Sequence, residues 1–229
     1  MRLIFVRHGE PDYAHDCLTA EGRRQAEAAA SRLMCEGITE IYSSPKGRAL
    51  ETASCTAERL GLPVRVLDYM AEISWGGENI PFGGHPWKLS SLMVDEEDFD
   101  FRANDWRKHP YFKGNQATEL YDAIAANIDM LLTGFGYRHE GSRFYCDGGS
   151  DKTIALFSHG GSGACALAHI LSLPFPYVNT VMPYDYTSVI ILDFPIADKE
   201  YIHPRIALFN DCAHYKIKNG NPAIQQKSE

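Results

Sequence analysis

The sequence predicts an α/β protein, a three-layer α/β/α sandwich around a mostly parallel sheet with an inserted lid region. Short apolar runs of strand type alternate with segments of helical spacing through residues 1–75, and the alternation resumes from about residue 153. Between about residues 76 and 115 the periodicity gives way to glycine, proline, tryptophan and clustered acids, read as a lid or cap inserted in a single domain spanning 1–229.

Leu3 to Val6 is a continuous branched and aromatic run, suited to a strand buried on both faces, and it delivers Arg7-His8-Gly9. Thr19 to Glu36 reads as a helix capped by Thr19, with alanines, Leu33 and Met34 as its inward stripe and Gly22 as an imperfection. Glu40 to Ser43 is the second strand. A helix then runs from about Lys46 to Leu60, closed by Gly61 and Pro63, and Val64 to Leu67 is the third strand. Helical spacing returns over Gln116 to Leu132, with Leu120, Ile124, Ile128, Leu131 and Leu132 on one side. After a turn at Asp147 to Asp151, the core strand Thr153 to Phe157 delivers Ser158-His159-Gly160-Gly161. Ser162 to Leu173 is an apolar helix ended by Pro174; Thr187 to Phe194 and Arg205 to Phe209 are further strands. In such a sheet ligands gather at the carboxyl ends of the strands.

The 229 residues are 45% apolar and 23% charged, ordinary globular proportions. A formal net charge of -8 argues against a nucleic-acid partner and an anionic-membrane surface, both of which need an exposed positive field. An anionic ligand must therefore meet a local cluster of positive groups. The six cysteines are scattered, with no C-x-x-C pair, and the apolar run at the start is too short for a signal peptide or a membrane span, so a cytoplasmic protein is expected. A homodimer is left open.

Two core strands each end in histidine followed by glycine, which places His8 and His159 on one edge of the sheet. A single buried histidine is usually a hydrogen-bonded core residue; two at equivalent strand ends point to a site. Arg7 adjoins His8, and Arg48 opens the helix after the second strand, where a helix N-terminus and a guanidinium fork both favour a phosphoryl group. A neutral imidazole is a nucleophile at cellular pH, so His8 is wanted unprotonated, whereas His159 is more useful charged.

Arg7-His8-Gly9-Glu10, Leu18-Thr19-Ala20-Glu21-Gly22, Ser43-Ser44-Pro45 with Arg48-Ala49 and Thr52-Ala53, then Glu72, then Ser158-His159-Gly160-Gly161 stand in the order typical of the histidine phosphatase superfamily, the phosphoglycerate mutase-like group. The resemblance covers residues 2 to about 75 and about 153 to 214 and is to the phosphatase branch. It implies a metal-independent, cofactor-free phosphoric monoester hydrolase acting on a small phosphorylated metabolite. It further implies that His8 becomes phosphohistidine, that Arg7, Arg48, His159 and Gly160 bind phosphate, and that Glu72 is the proton donor, with Glu78 as the alternative acid. Glu10 and His214, the latter in Asn210-Asp211-Cys212-Ala213-His214, are expected just outside the pocket.

The sequence departs from the family pattern in two places. Ala14 stands where many members have asparagine six residues after the nucleophile, which leaves Asp12, Tyr13 or His15 as replacements. Gly77-Glu78-Asn79-Ile80 replaces the lysine-containing stretch of true mutases, which favours hydrolysis over mutase-type phosphotransfer. Two other readings are a metal hydrolase built on His8, His159, Glu72 and one other ligand, and a catalytically silent phospholigand-binding domain. His85, His109, His139, His169 and His203 are expected at the surface or in packing. Trp75, Phe82, Trp87, Trp106, Tyr111 and Phe112 are expected in the lid core or the substrate wall.

Overall fold

The computed structural model describes residues 1–77, 105–182 and 185–216. Most of the expected lid falls on residues 78–104, outside the described residues, as do Glu78, Phe82, His85 and Trp87.

The chain opens with strand β1 (Arg2–Arg7), the short pair β2 (Pro11–Asp12) and β3 (Cys17–Leu18), and helix α1 (Ala20–Leu33). Thr19 caps α1 by accepting from the Gly22 amide at 2.9 Å. Strand β4 (Glu40–Ser43) leads to α2 (Gly47–Leu60), which ends on Gly61 in the left-handed conformation, and then to β5 (Val64–Val66). After short 3₁₀ turns at Asp68–Met70 and Trp106–Lys108, α3 (Gln116–Gly134) starts on an Asn115 cap. Next come β6 (Tyr137–Glu140), β7 (Arg143–Asp147), β8 (Thr153–Ser158), α4 (Gly160–Ile170), α5 (Phe175–Val181), β9 (Val189–Asp193), β10 (Asp198–Ile202), β11 (Arg205–Asp211) and α6 (Ala213–Lys216).

The main sheet has the order β11-β9-β1-β8-β4-β5. Its pairings are parallel from β1 to β5, whereas β9 runs against both neighbours, so the sheet is mostly parallel, as expected. Residues of β1 divide between its faces. Leu3 and Phe5 join Ile124, Ile128, Ile154, Leu156 and Leu167 in one core, while Ile4 and Val6 join Leu33, Ile41, Ala53 and Phe157 in the other. Each fully buried side chain of this size contributes about 1.5–3 kcal/mol through removal from water.

The structure also shows elements the sequence reading lacks. β6, β7 and β10 form a separate three-stranded sheet in the order β10-β7-β6, and α5 follows α4 after Pro174. Trp106, Tyr111 and Phe112 are buried in the main core beside Phe175, and Trp75 stacks on Phe175 at 5.7 Å, so the described aromatics flanking the expected lid belong to the body of the domain. Gly22 is no imperfection. A Cβ there would lie 2.1 Å from the Glu10 carbonyl oxygen, so only glycine allows α1 to pack against the segment following His8.

An open depression of about 710 Å³ at the amino ends of β1 and β8 is walled in part by the Arg2–Asp193 ion pair and contains none of the candidate residues. No described helix is long and apolar enough to cross a membrane.

Candidate active site

The parallel register of β1 and β8 builds the site. Arg7 pairs with Ser158, and the His8 amide donates to the Ser158 carbonyl at 3.0 Å, so the next residue of each strand is a histidine at the carboxyl edge. The rings of His8 and His159 lie 5.0 Å apart, centroid to centroid, and both are fully buried. The sequence-level juxtaposition therefore holds in three dimensions.

Nδ1 of His8 lies 2.7 Å from the Gly9 carbonyl oxygen. A carbonyl only accepts, so Nδ1 carries the hydrogen and the lone pair sits on Nε2. Arg48, buried in the first turn of α2, donates from Nε to that Nε2 at 3.4 Å and from Nη1 to Asp16 Oδ1 at 2.5 Å. Asp16 accepts with its other oxygen from the Gly47 amide at 2.9 Å. Arg7 places its guanidinium 4.4 Å over the ring of Tyr186, and a Cβ added at Gly160 would stand 3.7 Å from the carbon of the same guanidinium. Two guanidiniums thus flank the imidazole pair.

Burial lowers His8 to a pKa of about 3, and Arg7 and Arg48 push in the same direction against the Gly9 carbonyl. Burial likewise lowers His159 to about 2, followed by the influence of His8, Arg48 and Arg7. Both rings are neutral at cellular pH. For His8 this matches the requirement for an unprotonated Nε2. For His159, the more useful charged form needs an anionic ligand to offset burial and the two guanidiniums. Its Nε2 pairs with the Ser44 hydroxyl at 2.7 Å.

Glu72 reaches the site from the loop after the first 3₁₀ turn. Its Oε1 accepts from the Ser162 and Ile73 amides, each at 3.0 Å, and its Oε2 from Gly161 at 3.4 Å, so the carboxyl sits at the N-terminus of α4. A Cβ on Gly161 would lie 2.6 Å from Oε1, so glycine is what permits this approach. Burial raises the Glu72 pKa, outweighing the three amides and Arg7, which oppose it.

Glu10 bonds through its carboxylate to the Thr19 hydroxyl at 2.8 Å and through its amide to Gln25, which ties it to the start of α1 rather than to the imidazoles. His214, in α6, pairs with the Thr187 hydroxyl at 3.3 Å, and the Thr187 amide donates to the Arg7 and His8 carbonyls, so His214 stands two contacts from His8. Asp12 pairs with His15 and Tyr13 is exposed beside Arg48. The group that closes on Arg48 is Asp16, which the sequence reading did not consider. Ser44 and Tyr186 were missed as well, although Ser44 stood within the Ser-Ser-Pro motif.

Among the described residues, His8, His159 and Glu72 do not converge their ligand atoms as a metal trio would; Asp129, His139 and His169 do. His139 and His169 are packed, as expected, and in addition contact each other and Asp129, whereas His203 is exposed and His109 packs on Tyr111, also as expected.

A family model described as histidine phosphatase superfamily (branch 1) matches residues 3–203. The probable phosphoglycerate mutase GpmB of Yersinia enterocolitica is 29% identical over 192 residues, 76% of each chain. Among solved structures, a phosphoserine phosphatase mutant from Entamoeba histolytica in complex with phosphoserine aligns at TM-score 0.65 and 22% identity, covering 93% of this chain and 98% of that one. A mycobacterial glucosyl-3-phosphoglycerate phosphatase aligns at TM-score 0.62 and 27% identity, covering 91% and 98%. With two strand-end histidines brought together beside Arg7 and Arg48, and a family match running through both halves of the sheet, the chain belongs to the histidine phosphatase superfamily, branch 1.

Proposed function

We propose that the protein is a phosphatase that hydrolyses a small phosphomonoester through a phosphohistidine on His8, without a metal ion. The observation that carries this reading is the lone pair of His8 Nε2, held neutral by burial and facing the guanidinium of Arg48. Phosphoryl transfer needs in-line positioning and stabilisation of charge on the equatorial oxygens, which Arg7, Arg48 and His159 supply together.

In the first step Nε2 attacks phosphorus while the bond to the leaving oxygen breaks, and Glu72, its pKa raised by burial, gives that oxygen a proton. In the second, the Glu72 carboxylate takes a proton from water as its oxygen attacks the phosphohistidine, which releases inorganic phosphate and restores His8. The dianion itself favours protonation of His159, so the charge that ring lacks beforehand arrives with the substrate. Ser44 and Asp16 orient His159 and Arg48. The six free cysteines support a reducing cytoplasm as the compartment.

A mutase-type phosphotransferase is the second reading, favoured by the probable phosphoglycerate mutase relative. A panel of phosphorylated metabolites assayed in excess chelator separates the two. Net release of inorganic phosphate from at least one monoester, abolished by His8→Ala, is expected; isomerisation of phosphoglycerate without net release would establish the mutase. Undiminished turnover in His8→Ala would remove the nucleophile from the scheme.

A further inference from the structure

Away from the pocket, three ligand-type side chains converge at the opposite end of α4, the helix whose amino end holds Glu72. Asp129 comes from α3, His139 from β6 and His169 from the last turn of α4. Ten residues of helix separate His169 from His159, a span of about 15 Å. Oδ1 of Asp129 lies 3.1 Å from Nδ1 of His139 and 2.7 Å from Nε2 of His169, and the two nitrogens are 3.1 Å apart.

Hydrogen bonds alone cannot satisfy this triangle. Each neutral imidazole carries one N–H and an ionised carboxylate carries none, so the two hydrogens serve at most two of the three contacts, and the third sets donor against donor or acceptor against acceptor. A cation satisfies all three at once. Atoms at these separations lie on a circle about 1.7 Å in radius, so an ion at roughly 2.0–2.1 Å from each, the usual zinc distance, sits about 1 Å off their plane. That displacement is the start of a tetrahedron with one vertex free.

We propose that Asp129, His139 and His169 bind one divalent transition-metal ion of the zinc class, with the fourth position open to water. Two imidazoles and a carboxylate suit zinc, cobalt or nickel rather than calcium or magnesium, which want oxygen ligands. The His139 ring is held by parallel stacking on Phe144, with centroids 4.3 Å apart, and Asp129 keeps about a third of its side chain exposed, which gives an ion its entry. Coordination through Nδ1 puts the hydrogen of His139 on Nε2, which is buried and lacks a hydrogen-bond partner among the described residues. Absence of such outer support weakens metal affinity by roughly 10–100-fold relative to a site of the same ligands that has it. The ion pins β6, and with it the smaller sheet, to α3 and α4. This site is independent of the phosphatase reading.

The test adds cobalt(II), then zinc(II), to the full-length chain after stripping with chelator. Cobalt is expected to bind at one equivalent, with visible absorption of a nitrogen and oxygen site and no thiolate charge-transfer band, and zinc is expected to displace it. Asp129→Asn, which keeps the shape of the side chain, and His169→Ala should each weaken binding at least tenfold. Zinc should raise the melting temperature of the parent but not of Asp129→Asn, while His8→Ala binds as the parent does. Absence of saturable binding, affinity unchanged in both variants, loss of binding in His8→Ala, or a thiolate band would each overturn the proposal.

Discussion

The Nε–H of Arg48 donates to Nε2 of His8 across 3.4 Å, so the guanidinium proposed to hold the phosphoryl group rests on the lone pair that phosphorus must take and has to turn to the phosphoryl oxygens as substrate binds. Arg48 does not hold this position unaided, since Asp16 grips its Nη1 and the neighbouring Gly47 amide together.

Removal of that grip should leave the guanidinium in place on average but less well aimed. Asp16→Ala is expected to lower kcat/KM by about 10–100-fold, mainly through KM, because misplacement by about 1 Å is enough for a loss of that size. Asp16→Asn, which can still accept from Gly47, should fall between parent and alanine variant. Steady-state kinetics on the best monoester decide it: kinetics equal to the parent in both variants would mean that Arg48 is positioned without Asp16.

Glu72 sets the expected pH dependence on the basic side. Its pKa is raised, and the proposed first step needs its protonated form, so kcat/KM should fall as pH rises through that pKa. His8 is neutral far below this range, so it contributes no acid limb near neutrality. For Glu72→Gln the loss should be much larger on alkyl phosphates than on an activated aryl phosphate, whose leaving group needs no proton. Equal losses on both would count against proton donation.

The same two imidazoles make stability sensitive to acid. His8 and His159 have folded pKa values of about 3 and about 2, below the ordinary 6.5, so beneath pH 6.5 the unfolded chain takes up protons that the folded chain refuses. Stability is unaffected above pH 6.5 and is lost as pH falls, by about 1.4 kcal/mol per pH unit for each ring. Glu72 works in the opposite sense above the carboxylate range, so the useful quantity is a difference between proteins. Urea denaturation of the parent and His159→Gln between pH 6 and pH 4 should give slopes that differ by about one proton, the variant being the shallower. Identical slopes would show that His159 is protonated in the folded protein.

What could be read from the sequence follows from where the information lies. β1 was legible because Leu3 to Val6 are apolar on both faces, and the pocket because His8 and His159 each close such a strand. Their alignment in neighbouring strands depends on the register that sets Arg7 beside Ser158, which no local pattern encodes. The smaller sheet was invisible because β6 carries Arg138, His139 and Glu140, residues that resemble a solvated loop. Asp16 was missed for a similar reason: it lies in an aperiodic turn with φ of 50°, and its partner is 32 positions away. The Asp129, His139 and His169 cluster draws one residue from each of three elements, so spacing alone could not gather it.

Gly22 sets helix propensity against packing, and the geometry says which prevails. Alanine is the better helix former by about 1 kcal/mol, so Gly22→Ala in an open helix would stabilise. Here the added Cβ would lie 2.1 Å from the carbonyl oxygen of Glu10 and 3.0 Å from its amide nitrogen, both backbone atoms that cannot rotate away. Relief requires α1 to separate from the segment that begins at His8, which threatens the bonds that Thr19 donates to Glu10 and the one that the Glu10 amide donates to Gln25. Overpacking of this kind costs about 1–3 kcal/mol, which exceeds the propensity gain. Gly22→Ala should therefore unfold at lower urea with an unchanged m-value, and turnover should fall too, because the displaced segment carries the Gly9 carbonyl that fixes the His8 tautomer. A variant as stable and as active as the parent would mean that α1 and the segment after His8 can move apart freely, and the close approach of Gly22 to Glu10 would then have no part in holding the nucleophile.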